Sequence, residues 1–147
     1  MSTHRYELFI RTTPAALWEA LTSGAKTKQY FFKTSVVSSL TAGAAITWLG
    51  APDQVVVQGT VLEADAPRRL VHTWSAQYDP VLAKEISTVT WLIEPRGSAV
   101  KLTVEHALGS APATAAHVAT DGWSVVLSGL KTLLETGAPL VLPPSNM

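Results

Sequence analysis

The stretch "DGWSVVLSGLKTLLETG", residues 121–137, reads as an amphipathic helix that carries two glycines. At about 100° per residue, Trp123, Val126, Leu127, Leu130, Leu133 and Leu134 share one stripe. Ser124, Ser128, Lys131 and Glu135 lie to its polar side. Ala116 and Ala119 continue the stripe backwards, which predicts a helix over 112–136 capped by Ser110 and roughly 37 Å long. Gly137, with Pro139 two residues on, is its stop. Each interior glycine costs a helix about 1 kcal/mol relative to alanine. Gly122 and Gly129 fall together on the flank of the stripe, beside Ala115 and Val126, and predict a smooth groove there.

A stripe this apolar needs a partner surface, and the preceding residues supply one. "HRYELFI" (4–10) is a first strand, and "TTPAALWEALTSG" (12–24) a short helix with Thr13 as cap and Pro14 at its first position. "AKTKQYFF" (25–32) adds a turn or two of helix. An extended "KTSVVSSL" follows, then runs at 44–50, 54–64, 69–76, 86–94 and 99–106, each ended by a turn signal such as "GAPD", "ADAPR", "YDP" or "PRG". Adjacent β runs joined by short turns predict an antiparallel meander.

Strand alternation assigns the faces. Leu70, His72 and Trp74 share one face; so do Val89, Trp91 and Ile93, and Leu102, Val104 and His106. Ile46 with Trp48, and Val57 with Val61, add two more rows. One sheet face is therefore broad, apolar and rich in tryptophan, and the C-terminal helix is the element available to cover it.

The composition agrees. The 147 residues are 47% hydrophobic and 15% charged, as in a compact fold with a real core. Eleven basic residues balance eleven acidic ones, so nothing points to nucleic acid or to an anionic membrane. With no cysteine, disulfides, thiolate catalysis and Cys-ligated zinc are excluded. No run is long enough for a membrane span and the start lacks a signal-peptide pattern, so the expected location is cytoplasmic. The expected organisation is one domain over 1–137 with a peripheral proline-rich tail over 138–147.

Strand, two short helices, six-stranded meander and long C-terminal helix together resemble the α+β helix-grip arrangement of the START-like (SRPBCC) superfamily. Within it the chain is similar to the activator-of-heat-shock-chaperone-ATPase (Aha-type) branch and its small bacterial single-domain relatives. "TPAALWEALT" (13–22), "GTVLEADAPRRLVHTW" (59–74), "STVTWLIEP" (87–95), "VKLTVEH" (100–106) and above all "GWSVVLSGLKTLLETG" (122–137) carry the likeness. It implies a curved sheet wrapped around the helix with a cavity between them. It leaves function open, because the superfamily includes lipid carriers, cyclases and chaperone activators.

A dry cavity of about 300 Å³ would cost roughly 7 kcal/mol. Such a space must therefore hold water, a ligand or large side chains. Trp48, Trp74, Trp91 and Trp123, with Val104, Val126 and Leu130, are the candidates to line or to plug it. His72 and His106 lie in phase with the inner face and are the candidate polar anchors; the competing role for each is a core histidine satisfied by a neighbour. Tyr30, Tyr78 and Glu85 are placed at an entrance, with Phe31 and Phe32 beside Tyr30 as a lid; ordinary packing is the alternative.

Catalytic motifs are missing: there is no G-x-S-x-G, H-E-x-x-H, Walker loop or G-x-G-x-x-G. The spacing of His4, His72, His106 and His117 does not suit a metal, and no cofactor is implied. The leading expectation is a non-catalytic carrier or sensor for a small hydrophobic molecule. A cyclase- or hydrolase-like enzyme using His72, Glu85 and His106 is the second reading. A protein-interaction or chaperone-regulating module, or a homodimer contact signalled by Leu92 on the outer sheet face, is the third.

Overall fold

The fold is taken from a computed structural model, which describes residues 3–118 and 122–142. Ala119 of the predicted stripe and residues 143–147 of the tail lie outside the described residues. The chain runs β1 (Thr3–Ile10), α1 (Pro14–Thr22), α2 (Gly24–Thr27), β2 (Ser35–Ser38), β3 (Ala45–Gly50), β4 (Gln54–Asp65), β5 (Arg69–Ala76), a 3₁₀ turn (Leu82–Lys84), β6 (Ser87–Arg96), β7 (Ala99–Ala107), α3 (Pro112–His117) and α4 (Trp123–Thr136). The seven strands form one open, curved antiparallel sheet in the order β1-β7-β6-β5-β4-β3-β2. This is the helix-grip fold, and β2 to β7 are the predicted meander.

The inner-face rows are buried as alternation requires. Leu70, His72, Val89, Trp91, Leu102, Val104 and His106 are all at most 2% exposed. α4 lays Trp123, Val126, Leu127, Leu130 and Leu133 on that face. Its far end is pinned to the end of β1. The ammonium of Lys131 donates to the Phe9 carbonyl at 2.7 Å, and the Glu135 carboxylate accepts from the Arg11 backbone N–H at 2.9 Å. Gly137 then ends the helix with φ +80°, its N–H donating to the Leu133 carbonyl.

The predicted helix over 112–136 is described as α3 and α4; Val118 and Gly122, at their facing ends, both keep a right-handed helical backbone, and residues 119–121 lie outside the described residues. The expected Ser110 cap is corrected: the residue before α3 is Ala111, and the free N–H groups of Ala113 and Thr114 donate instead to the Glu85 carboxylate, at 3.2 and 2.8 Å. At α1 the expected cap is present, Thr13 Oγ1 accepting from the Ala16 N–H at 3.1 Å.

Gly129 of α4 and Gly122 just before it do different things. A Cβ on Gly129 would come within 3.1 Å of the Tyr30 Cβ, so its absence lets the helix settle onto the turn after α2. A Cβ on Gly122 would meet nothing within 4 Å, because that glycine borders open space.

Candidate functional site

That space is a cavity of about 180 Å³ between the start of α4 and the β4–β5 end of the sheet. Trp74 of β5 forms one wall, and Gly122 with Trp123 and Val126 of α4 forms a second. Val56 and Val57 of β4 form a third, and Phe31, Phe32 and Thr34 close it from the loop before β2. Tyr78, the α3 residue His117 and Val118 immediately after it border the remaining side.

Several local features put these side chains there. Val56 and Val57 are neighbours in a strand, which alternation would send to opposite faces. Trp48 pairs with Val57 and Leu49 with Val55, so Val56 is the extra residue of a bulge and can face the same space as Val57. Phe32 and Lys33 both have positive φ, +51° and +59°, a tight turn that leaves Phe31 buried and Phe32 57% exposed at the rim. Glu85 fixes the start of α3, whose last residue, His117, shares a hydrogen bond of 2.5 Å with the Tyr78 hydroxyl. Thr114 and the two backbone N–H groups hold the Glu85 carboxyl below the usual carboxylate range.

Below the cavity the aromatic rings are continuous. Phe31 packs against Trp48, Trp74 and Trp123 with ring centroids 5.8, 6.0 and 6.3 Å away. Trp74 and Trp123 lie 5.7 Å apart, and Trp91 meets Trp123 edge-on at 5.4 Å. Trp48 and Trp91 thus belong to the solid core, whereas Trp74 and Trp123 have one side on the cavity.

The two inner-face histidines satisfy buried indoles. His72 Nε2 accepts from the Trp91 indole N–H at 3.0 Å, and its Nδ1–H donates to the Thr73 carbonyl at 2.8 Å. His106 Nδ1 accepts from the Trp123 indole N–H at 3.1 Å, which leaves Nε2 to donate to the Ser87 hydroxyl at 2.6 Å. An indole nitrogen only donates, so both rings must be neutral. Burial pushes both down to about 4; at His106 the nearby His72 and His4 add to it.

Of the residues singled out in the sequence, the structure brings Trp74, Trp123, Val126 and Tyr78, with the lid residues Phe31 and Phe32, together around the cavity. Trp48, His72, Trp91, Val104, His106 and Leu130 lie in the core beneath it. Tyr30 is 6% exposed rather than at a rim, its hydroxyl donating to the Ala20 carbonyl at 2.7 Å, and burial pushes its phenol up. Glu85 stands behind the mouth as the cap of α3. Thr34, Val56, His117 and Val118 were not proposed from sequence, whereas Gly122 was expected to leave a groove on this flank of the helix. The bulge brings in Val56 against the alternation, and residue spacing carries no sign that His117 meets Tyr78, 39 positions away. Among the described residues no group of three or more His, Asp or Glu side chains is placed to hold a metal, and no helix is long and apolar enough to cross a membrane.

The comparisons with known proteins agree with this architecture. No curated protein matches the chain in sequence. Among solved structures it is similar to protein MLL2253 from Mesorhizobium loti, with 24% identity, a TM-score of 0.74 and coverage of 90% of this chain and 96% of that one. It is also similar to the Aha1 dimer from Colwellia psychrerythraea, at 17% identity and a TM-score of 0.73 over 93% and 98% of the two chains. PFC0360w, an HSP90 activator from Plasmodium falciparum, superimposes with a TM-score of 0.70 at 16% identity over 90% and 95%. At these identities the likeness is one of fold. The family model described as Activator of Hsp90 ATPase homolog 1-like protein matches residues 11–135, and the chain belongs to that family.

Proposed function

We propose that this protein is a carrier or sensor that binds a small hydrophobic or aromatic molecule in the cavity between the sheet and α4. The observation that carries the reading is the cavity itself: about 180 Å³ of space walled by Phe31, Trp74, Trp123 and four valines. The space opens to solvent beside Tyr78 and Phe32, and water against walls this apolar is readily displaced by an apolar ligand. His72 and His106 speak against the enzyme reading, since each has both ring nitrogens engaged and neither lines the cavity.

Native mass spectrometry of the purified protein tests this. A bound mass that leaves on denaturation, and that Gly122→Leu no longer retains, is the expected result. Equal retention by Gly122→Leu with an unchanged fold would place the ligand elsewhere.

A second reading, regulation of a chaperone ATPase, has the family match in its favour. Its measurement is the ATPase rate of an Hsp90-type chaperone with and without this protein; an unchanged rate would remove it.

A further inference from the structure

The cavity is polar at one end. Its inner walls are the rings of Phe31, Trp74 and Trp123, the last with its indole N–H already given to His106. Thr34 directs its hydroxyl proton to the Phe31 carbonyl at 2.6 Å. At the solvent end stand Tyr78 and His117, both exposed and joined by their hydrogen bond. Whichever of the two supplies that proton, the Tyr78 oxygen keeps either its own O–H or a lone pair for a further partner. A hydroxyl group, being donor and acceptor at once, suits both arrangements.

Size and charge narrow the choice further. An apolar cavity of about 150 Å³ accepts benzene. The present 180 Å³ therefore suits one substituted ring and is too small to enclose a polycyclic system. Asp79, next to Tyr78, is held with its carboxylate accepting from the N–H groups of Val81 and Leu82, at 2.8 and 3.2 Å. Burial and then the charge of Asp79 both keep the Tyr78 phenol neutral, and the same charge disfavours an anion beside it.

The geometry points to a neutral single-ring phenol or aromatic alcohol as the ligand, its ring against Phe31, Trp74 and Trp123 and its hydroxyl on the Tyr78–His117 pair. This rests on the carrier or sensor reading and gives that reading a ligand class.

Calorimetric titration of the full chain with four probes tests it: 4-ethylphenol, ethylbenzene, 4-ethylbenzoate and 1-hydroxypyrene. The expected result is 4-ethylphenol bound about tenfold more tightly than ethylbenzene, the worth of one good hydrogen bond. The benzoate should bind more weakly still, and hydroxypyrene not at all. Tyr78→Phe should bring 4-ethylphenol to within about threefold of ethylbenzene without changing ethylbenzene itself. Equal affinities for the phenol and the hydrocarbon in the parent protein would overturn the inference, as would a preference for the benzoate or hydroxypyrene, or a Tyr78→Phe variant that still discriminates. In each case the carrier reading would stand. Were no probe bound while native mass spectrometry showed another bound mass, the inference alone would fall; with neither, both fall.

Discussion

Trp123 donates its indole N–H to Nδ1 of His106 across 3.1 Å, and so ties the first turn of α4 to the last inner-facing residue of β7. A second indole–histidine bond joins neighbouring strands, Trp91 of β6 donating to His72 of β5. A buried indole without an acceptor would cost about 1–3 kcal/mol. The tryptophans that build the core thus require neutral histidines beside them.

Acid should therefore destabilise the protein over a defined window. The two histidines titrate near 6.5 when unfolded and at about 4 when folded. Between these values the unfolded chain binds more protons, so stability falls as pH falls, by about 3 kcal/mol for each histidine over the whole interval. Urea midpoints should drop steeply from pH 6.5 to 4. His72→Phe should reduce that slope by about half while lowering stability at pH 7 by about 1–3 kcal/mol through the unpaired Trp91 N–H. A midpoint that is flat across the window would contradict this account.

Gly59 should be the least replaceable glycine in the sheet. A Cβ there would lie 1.9 Å from the Thr73 carbonyl oxygen, so the backbones of β4 and β5 would have to separate, at the expense of the Thr60 N–H to Thr73 hydroxyl bond of 2.8 Å. Gly59→Ala is expected to cost about 3 kcal/mol or more. Gly122→Ala, which meets open space, should stay within about 1 kcal/mol of the parent. Denaturant unfolding of both variants makes the comparison.

Glu85→Ala should loosen α3 without unfolding the sheet. Its carboxylate takes the N–H groups of Ala113 and Thr114 and the Thr114 hydroxyl. Hydrogen exchange at Ala113 and Thr114 should speed up in the variant, and in the parent protein as pH falls below the carboxylate range. The depressed Glu85 carboxyl contributes stability that is present above the unfolded carboxylate pKa and lost as pH falls through the folded value. Unchanged protection would mean that α3 is held by its packing alone.

Tyr30→Phe should cost about 1 kcal/mol, since it leaves the buried Ala20 carbonyl without its donor while the ring stays packed. Binding to the cavity should be unaffected, because Tyr30 does not line it. A changed affinity would return Tyr30 to the entrance.

The sequence by itself determined the elements of the fold that repeat. The 3.6-residue stripe of Trp123, Val126, Leu127, Leu130 and Leu133, the alternating rows of β5 to β7 and the Thr13 cap depend on near neighbours in the chain, and each was readable for that reason. The site was less so. Two of the four tryptophans expected around a cavity, Trp74 and Trp123, border it, but the histidines chosen as anchors turn inward to Trp91 and Trp123. Only tertiary structure could decide this, because the acceptor an indole finds depends on strand register and not on spacing. The same holds for the bulge that brings Val56 beside Val57, for the meeting of Tyr78 with His117, and for Glu85 acting as cap in place of Ser110. Periodicity records which face a residue takes; which partner waits there is set by how distant segments pack.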